Sequence, residues 1–274
     1  MDIDIFRLVK KVREQKPVVH HLTNWVTIYD CANIVKVFGG SPIMAHAPEE
    51  VAEMSSIASS LVLNIGTLTP DFVDAMEMAA RSANSKGTPV ILDVCGAGAT
   101  RLRDAQCHRL LQRVKIDVVK GNVSEIARVA GEDVRTKGVD SGEYYGKIET
   151  AMEYLAHTRR CTVVATGKED YVTDGSRTFV VRNGHPMMEN VVGTGCMATS
   201  VIGTFCAAET DLAFASAAGL AAYEIAAEIA VAGSHGPGTF KQQLYDAVYS
   251  LDRETVEKMK KIELLHKQPV SGGK

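Results

Sequence analysis

The sequence predicts an α/β protein with a mainly parallel central sheet covered by helices on both faces and an antiparallel hairpin at the sheet edge. Three observations predict it. Four apolar runs of strand length, 61–65, 89–93, 116–121 and 162–167, show little polar alternation, as strands buried on both faces do. Helical stretches separate these runs, so strand and helix alternate along the chain. Two further runs, 171–173 and 177–181, flank Asp174-Gly175-Ser176 and read as the antiparallel hairpin.

The elements follow in order. Ile5, Leu8, Val9 and Val12 recur at helical spacing and open the chain with an amphipathic helix. Residues 17–22 form the first strand; alternation sends His20 and His21 to opposite faces, so they cannot share one metal ion, and each is expected to be satisfied or exposed. Thr23-Asn24 is expected to cap a helix from Trp25 to Phe38, and Gly39 to Met44 turns into a short strand. Pro48 starts a helix that ends near Ser60. Thr69-Pro70-Asp71 supplies a cap, a first-turn proline and an acid at the positive helix end. From residue 194 onward the chain reads as helical, with Thr239-Phe-Lys-Gln242 as a capping box. No linker interrupts the pattern, which predicts a single domain over 1–265 and a flexible tail over 266–274.

Composition narrows the function classes. The chain has 274 residues and a net charge of -3, which argues against general nucleic-acid binding and gives no membrane-surface signal. Its six cysteines form no C-x-x-C pair and read as reduced thiols of a cytoplasmic protein. The N-terminus is acidic and lacks a signal-peptide pattern. The most apolar region, 207–232, carries Glu209, Asp211, Glu224 and Glu228 and makes a poor membrane span.

The chemistry is expected at Asn190 to Cys206, a glycine-rich turn feeding a helix that is apolar on two faces and therefore buried. Gly193 and Gly195 allow a ligand close to the main chain. The first turn, with Thr194, offers unpaired N–H groups to an anion, and Cys196 stands at the positive helix end, where thiols become reactive. The spacing also satisfies G-x-G-x-x-G/A, but the next segment is another helix, so the dinucleotide reading fails. No P-loop is present in the sequence around Gly167-Lys168, because Glu169 follows.

In parallel sheets, ligands sit beyond the carboxyl ends of the strands. Those ends carry Asn64-Ile-Gly66, Asp93, Lys120-Gly-Asn122 and Thr166-Gly167. Carboxylates, a cation, glycines and a helix N-terminus are an inventory suited to phosphoryl transfer. Plainer roles are open for each: Asn122-Val-Ser-Glu125 as a capping box, Asp93 as a loop cap, Lys120 as a solvated rim charge, Met44 as core.

These residues together resemble hydroxyethylthiazole kinases. The resemblance is carried by Asn24 to Met44, Leu63-Asn-Ile-Gly-Thr67, Asp93 with Gly96-Ala-Gly-Ala-Thr100, Gly121-Asn-Val-Ser-Glu125, Gly193-Thr-Gly-Cys196 and Gly236-Pro-Gly-Thr-Phe240, over roughly 18–250. It implies a three-layer α/β/α ribokinase-like fold and ATP- and Mg²⁺-dependent phosphorylation of the hydroxyl of 4-methyl-5-(2-hydroxyethyl)thiazole in thiamine biosynthesis or salvage. It also implies a homotrimer with active sites between subunits. By motif position it implies thiazole contacts at Met44, Asn24 and Gly193. It puts ATP contacts at Lys120, Asn122, Thr166 and Gly167, and the metal at Asp93 and Glu125. Cys196, with the turn Gly193-Thr194-Gly195, would take the catalytic place, where similar sugar kinases carry an aspartate base. Two departures stand out: Asp93-Val94-Cys95 where the family usually has Asp-Pro-Val, and Lys120 where many members have arginine; lysine keeps the charge but loses the bidentate fork. Two rival readings are a ribokinase-like ATP-dependent lyase of the nicotinamide-nucleotide hydrate dehydratase type, which would place aspartate at 196, and a non-catalytic nucleotide or thiazole sensor, which would not need both Asp93 and Glu125.

Overall fold

The chain begins its ordered path with α1 (Ile5–Gln15), capped by Asp4, whose carboxylate accepts the Arg7 N–H, and buried along Ile5, Leu8, Val9 and Val12. The computed structural model describes residues 3–132 and 146–266. Strand β1 (Val18–Leu22) follows, then α2 (Ile28–Phe38), β2 (Ser41–Ile43), α3 (Val51–Ile57), β3 (Ser60–Asn64) and α4 (Pro70–Lys86). Next come β4 (Val90–Asp93), α5 (Arg101–Arg113), β5 (Val118–Asn122), α6 (Val123–Val129), α7 (Ile148–Arg159) and β6 (Thr162–Thr166). The hairpin strands are β7 (Asp170–Thr173) and β8 (Arg177–Val181). A 3-10 turn over Pro186–Asn190 leads to α8 (Thr194–Cys206), α9 (Leu212–Ala232), α10 (Pro237–Ser250), α11 (Arg253–Met259) and β9 (Ile262–His266).

Among the described residues, nine strands form one sheet in the order β2-β1-β3-β4-β5-β6-β7-β8-β9. The first six in that order run parallel and the last three antiparallel. The hairpin is therefore not the edge: β9 closes that side, paired to β8, in a region the sequence reads as helix. Of the tail expected from 266, His266 ends β9 and residues 267–274 lie outside the described residues.

The central strands are buried on both faces, which is why their sequences are apolar throughout. Val62, Ile91, Val118 and Val164 face a core shared with α1, α2, α8, α9, α10 and α11. Their neighbours Leu61, Leu63, Val90, Leu92, Val119 and Val163 face a second core beneath α3 to α7. The result is three layers. α9 is long and apolar enough to cross a membrane, but 83% of its apolar window is buried inside the fold, where Gly219 lets it close on Phe205 of α8.

Local signals behaved unevenly. Thr69 caps α4 through the Phe72 N–H, with Pro70 in its first turn. Thr23-Asn24 does not cap α2: the cap is Thr27, and Asn24 instead accepts the Thr27 N–H and hydroxyl, which frees its amide to point elsewhere. Thr239 is inside the first turn of α10, whose N-cap is Gly236; its hydroxyl accepts the His235 N–H, so no capping box forms there. His20 and His21 are both buried and both satisfied, the first by Ser55 and the Ala45 carbonyl, the second by Ser200 and the Val19 carbonyl.

Candidate active site

The C-terminal edge of the parallel strands gathers the candidates in sheet order. Met44 follows β2, Asn24 follows β1, Asn64 ends β3, and Asp93 ends β4. Lys120 and Asn122 lie on β5 and Thr166 ends β6, with Asn122 and Thr166 in register. Helix α8 enters above the middle of this row.

Asp93 and Lys120 are register partners on adjacent strands. Lys120 Nζ lies 3.5 Å from Asp93 Oδ2 and donates to the Gly195 carbonyl at 3.1 Å. The rim-charge reading of Lys120 is thereby overturned: the side chain is 5% exposed because the carboxylate and a helix carbonyl replace its water. Burial alone would push this ammonium down, yet Asp93 and Glu125 hold it above the ordinary lysine range. Asp93 Oδ2 also accepts from Thr199 of α8 at 2.5 Å and from Asn64 Nδ2 at 3.0 Å. Thr199 carries no motif, and its partner is 106 residues away in sequence, so sequence reading had no signal for it.

Cys196 is held by amides. Asn24 Nδ2 donates to its sulfur at 3.2 Å and Asn64 Nδ2 at 3.4 Å. A second thiol, Cys95 in the loop after β4, is the main influence drawing Cys196 down to about 7, against the opposing effect of burial. The start of α8 carries no capping side chain. Gly193, its N-cap, has φ +97°, and a Cβ there would meet Thr27 Cγ2 at 2.7 Å. Gly195 is exposed, and a Cβ there would meet only Lys120 Nζ, at 3.5 Å. The two glycines thus serve different needs, one backbone shape and the other open space between a cation and unpaired helix N–H groups. Thr194 donates its hydroxyl to the Met188 carbonyl at 2.9 Å, tying the turn to the segment before it.

The remaining candidates are more committed. Asn122 and Glu125 form a capping box on α6. Glu125 Oε1 accepts the Gly96 N–H at 2.6 Å and Oε2 the Asn122 N–H at 2.7 Å, so this carboxylate ties two strand-end loops together. Burial, and next Asp93, push it up to about 7. Thr166 donates to the Gly121 carbonyl at 3.3 Å, and the Gly167 N–H goes to Asp170. Arg103, unmarked by any motif, donates to the Ile65, Gly66 and Cys95 carbonyls and fixes the loops after β3 and β4 against each other. Met44 is not part of the cluster: it stands three strand spacings, about 14 Å, from Asp93.

Among the described residues no group of three His, Cys, Asp or Glu side chains could hold a metal ion unaided. Magnesium commonly uses one or two carboxylates and completes its shell with phosphates and water. Asp93 fits that use. Glu125 fits it only by releasing backbone N–H groups, so the donor set suits an ion delivered with nucleotide phosphates.

A ribokinase-like superfamily protein from Enterococcus faecalis V583 shares the fold, with a TM-score of 0.62 over 90% of this chain and 94% of that one, at 12% identity. That likeness defines the fold class: the chain has a ribokinase-like fold. The family is narrower. The hydroxyethylthiazole kinase family matches residues 9–254. Hydroxyethylthiazole kinase of Methanosarcina mazei is 51% identical over 257 residues, covering 94% of this chain and 98% of that protein. A solved hydroxyethylthiazole kinase structure from Pyrococcus horikoshii OT3 superposes with a TM-score of 0.88 at 38% identity, over 96% of this chain and 99% of that one. The chain belongs to the hydroxyethylthiazole kinase family.

Proposed function

We propose that this chain transfers the terminal phosphoryl group of ATP to the hydroxyl of 4-methyl-5-(2-hydroxyethyl)thiazole, as a cytoplasmic step of thiamine biosynthesis or salvage. The observation that carries the reading is the open space at Gly195, bounded by the buried Lys120 ammonium and the uncapped start of α8. Positive charge and unpaired N–H groups aimed at one volume stabilise a migrating phosphoryl group. Family membership supplies the acceptor.

Residue roles are carried over from motif positions in the family, and sheet order agrees with them. Lys120, Asn122, Thr166 and Gly167 serve the nucleotide on the β5–β6 side. Asn24, Gly193 and Met44 serve the thiazole on the β1–β2 side. Cys196 lies between and, as a thiolate held by two amides, takes the hydroxyl proton. Magnesium, bound with the nucleotide and held by Asp93, supplies charge neutralisation on the phosphate oxygens. Glu125 keeps the loops that carry Asp93 and Lys120 in register.

Three strand spacings, roughly 14 Å, separate Met44 from Asp93, too long for one small alcohol to span, which supports a homotrimer in which a neighbouring copy completes the thiazole site. Trp25, Val26, Tyr29 and Val192 are exposed apolar side chains close to that side of the site, with Val26, Tyr29 and Val192 at 67%, 75% and 72% exposure. Such side chains fit a subunit interface.

A coupled ADP-release assay with magnesium, offering thiazole alcohol, pyridoxal and hydroxymethylpyrimidine separately, tests the reading. Fastest turnover with the thiazole alcohol is expected. No ADP release from folded protein, or preference for pyridoxal, overturns it. Light scattering at assay concentration tests the trimer, and a fully active monomer contradicts it.

A further inference from the structure

Two acid–lysine pairs flank the turn over 193–195. On the sheet side Asp93 is paired with Lys120. On the other side the acid is Asp30, 7% exposed in the first turn of α2. A Cβ placed on Gly193 would lie 3.8 Å from its Oδ2, so this carboxylate stands against the backbone of the turn. Lys241 Nζ lies 3.0 Å from Asp30 Oδ1 and 3.3 Å from Oδ2, and the Tyr245 hydroxyl donates to Oδ1 at 3.0 Å. Both partners come from α10. Lys241 directly follows the motif Gly236-Pro-Gly-Thr-Phe240, and Phe240 is fully buried, so the root of the lysine is fixed while its side chain stays 37% exposed. The turn is held as well. Tyr223 donates to the Thr194 carbonyl at 3.2 Å, and the Tyr245 hydroxyl reaches Met197 Sδ at 3.8 Å. These ties keep the turn beside Asp30.

We propose that Lys241 is a positioning residue of the phosphoryl-transfer site: by pairing Asp30 it cancels a carboxylate that would otherwise repel the terminal phosphate of ATP. The acid has a use of its own where it stands, because negative charge is favoured in the first turn of a helix. The same charge opposes an anion at the start of α8, where the helix N–H groups attract one. Coulomb energy falls only with the first power of distance, so a bare carboxylate against the turn still acts on a phosphate a few ångströms further on. The Tyr245 hydroxyl satisfies a lone pair of Asp30 but carries no charge, so it cannot replace the lysine. This role rests on the reading of the turn as the seat of the transferred phosphate. ADP lacks that phosphate and does not reach the turn, so the pair bears on ATP and not on ADP.

Titration calorimetry on the full chain with magnesium compares ADP with the non-hydrolysable analogue β,γ-methylene-ATP, alongside turnover with the thiazole alcohol. Water at the exposed side of the pair screens the charge, so Lys241→Met should weaken the analogue by about three- to tenfold, raise the KM for ATP in step, and leave ADP binding nearly unchanged. Lys241→Arg keeps the charge and should bind the analogue as the unmodified chain does. Adding Asp30→Asn to Lys241→Met removes the uncompensated carboxylate and should restore analogue binding. Lys241→Gln, which keeps a polar end at the surface, carries the same test if the methionine variant does not fold. Equal losses for ADP and the analogue, or a double variant that binds no better than Lys241→Met, would make the pair a tie between α2 and α10 alone and overturn the proposal. Absence of turnover in a chain that shows the expected binding pattern counts against the kinase reading alone, because binding is read independently.

Discussion

Lys120 and Asp93 meet across adjacent strands, Nζ 3.5 Å from Oδ2, with side-chain exposures of 5% and 2%. A pair this deep differs from a surface salt bridge: removing one partner leaves the other charge without water or counterion. Lys120→Met is expected to lower folding stability by about 3–5 kcal/mol and to weaken ATP binding, measured by denaturant midpoint and by the ATP dependence of turnover. The sign with pH is set by the raised lysine. Stabilisation from the pair is complete below the ordinary lysine value of 10.5 and is lost as pH rises through the higher folded value. An unchanged midpoint for Lys120→Met would show that Thr199 and Asn64 alone satisfy Asp93.

The two carboxylates near the site should separate in mutagenesis. Asp93→Asn keeps shape and removes charge beside the transferring group, so turnover of the folded protein should fall by about 10²-fold or more, and stability should fall with it because Lys120 loses its counterion. Glu125→Gln strikes the capping box, where one carboxylate serves two backbone N–H groups at 2.6 and 2.7 Å. A glutamine amide can accept on only one atom. Its loss should be chiefly stability, about 1.5–3 kcal/mol, read from thermal unfolding alongside turnover at saturating magnesium. A stable Glu125→Gln protein with turnover as low as that of Asp93→Asn would assign Glu125 to the metal after all.

Thiol titration gives a pH prediction. Cys196 is drawn down to about 7, and the neighbouring Cys95 thiol is the main cause. Inactivation by iodoacetamide should therefore rise through a midpoint near pH 7. Removing Cys95 in Cys95→Ala takes away the largest lowering influence, so the midpoint should move upward, toward the ordinary thiol value of 9.0. A midpoint that does not move between the two proteins would mean that Lys120 and the helix end set the thiol by themselves.

The legible parts of this chain are those whose information is local. Leu61 to Asn64 and Val90 to Asp93 announce buried strands because both faces are apolar, and their last residues fall at the ligand-binding edge by topology alone. β9 was missed because Ile262 and Leu264 give only two inward positions, and the pairing that makes it a strand is with β8, some 80 residues earlier. Asn24 was read as a cap from its place before an apolar run. The partners of its amide nitrogen, Asn64 and Cys196, are 40 and 172 residues away. Lys120 could not be told from a surface lysine, because burial of a charge depends on the partner opposite. Cys95 reads only as loop, since the influence of one thiol on another far along the chain leaves no periodic trace.

The glycines of the turn allow the sharpest separation of fold from chemistry. Gly193 has φ +97°, where an L side chain is strained, and a Cβ there would fall 2.7 Å from Thr27 Cγ2. Gly193→Ala should thus lose both stability and turnover. Gly195 has no such constraint: its added Cβ would meet only Lys120 Nζ at 3.5 Å, and it lies in the first turn of a helix, where valine is tolerated at a small cost. Gly195→Val should fold, yet its branched side chain fills the space between the ammonium and the helix N–H groups. Losing one donor to a developing anion costs about 10²–10³, and blocking the whole volume should cost more. Cys196→Ala removes only a base, worth roughly 10²–10⁴ at best, in a reaction whose loose transition state asks little of a base. Measurable turnover should therefore survive in Cys196→Ala, and Cys196→Asp should remain active, whereas Gly195→Val should be close to inactive. Turnover at saturating ATP, with circular dichroism as the folding control, decides the order. If Cys196→Ala is as inactive as a folded Gly195→Val, the thiolate is indispensable to proton removal and positioning by the helix end is the lesser part of catalysis.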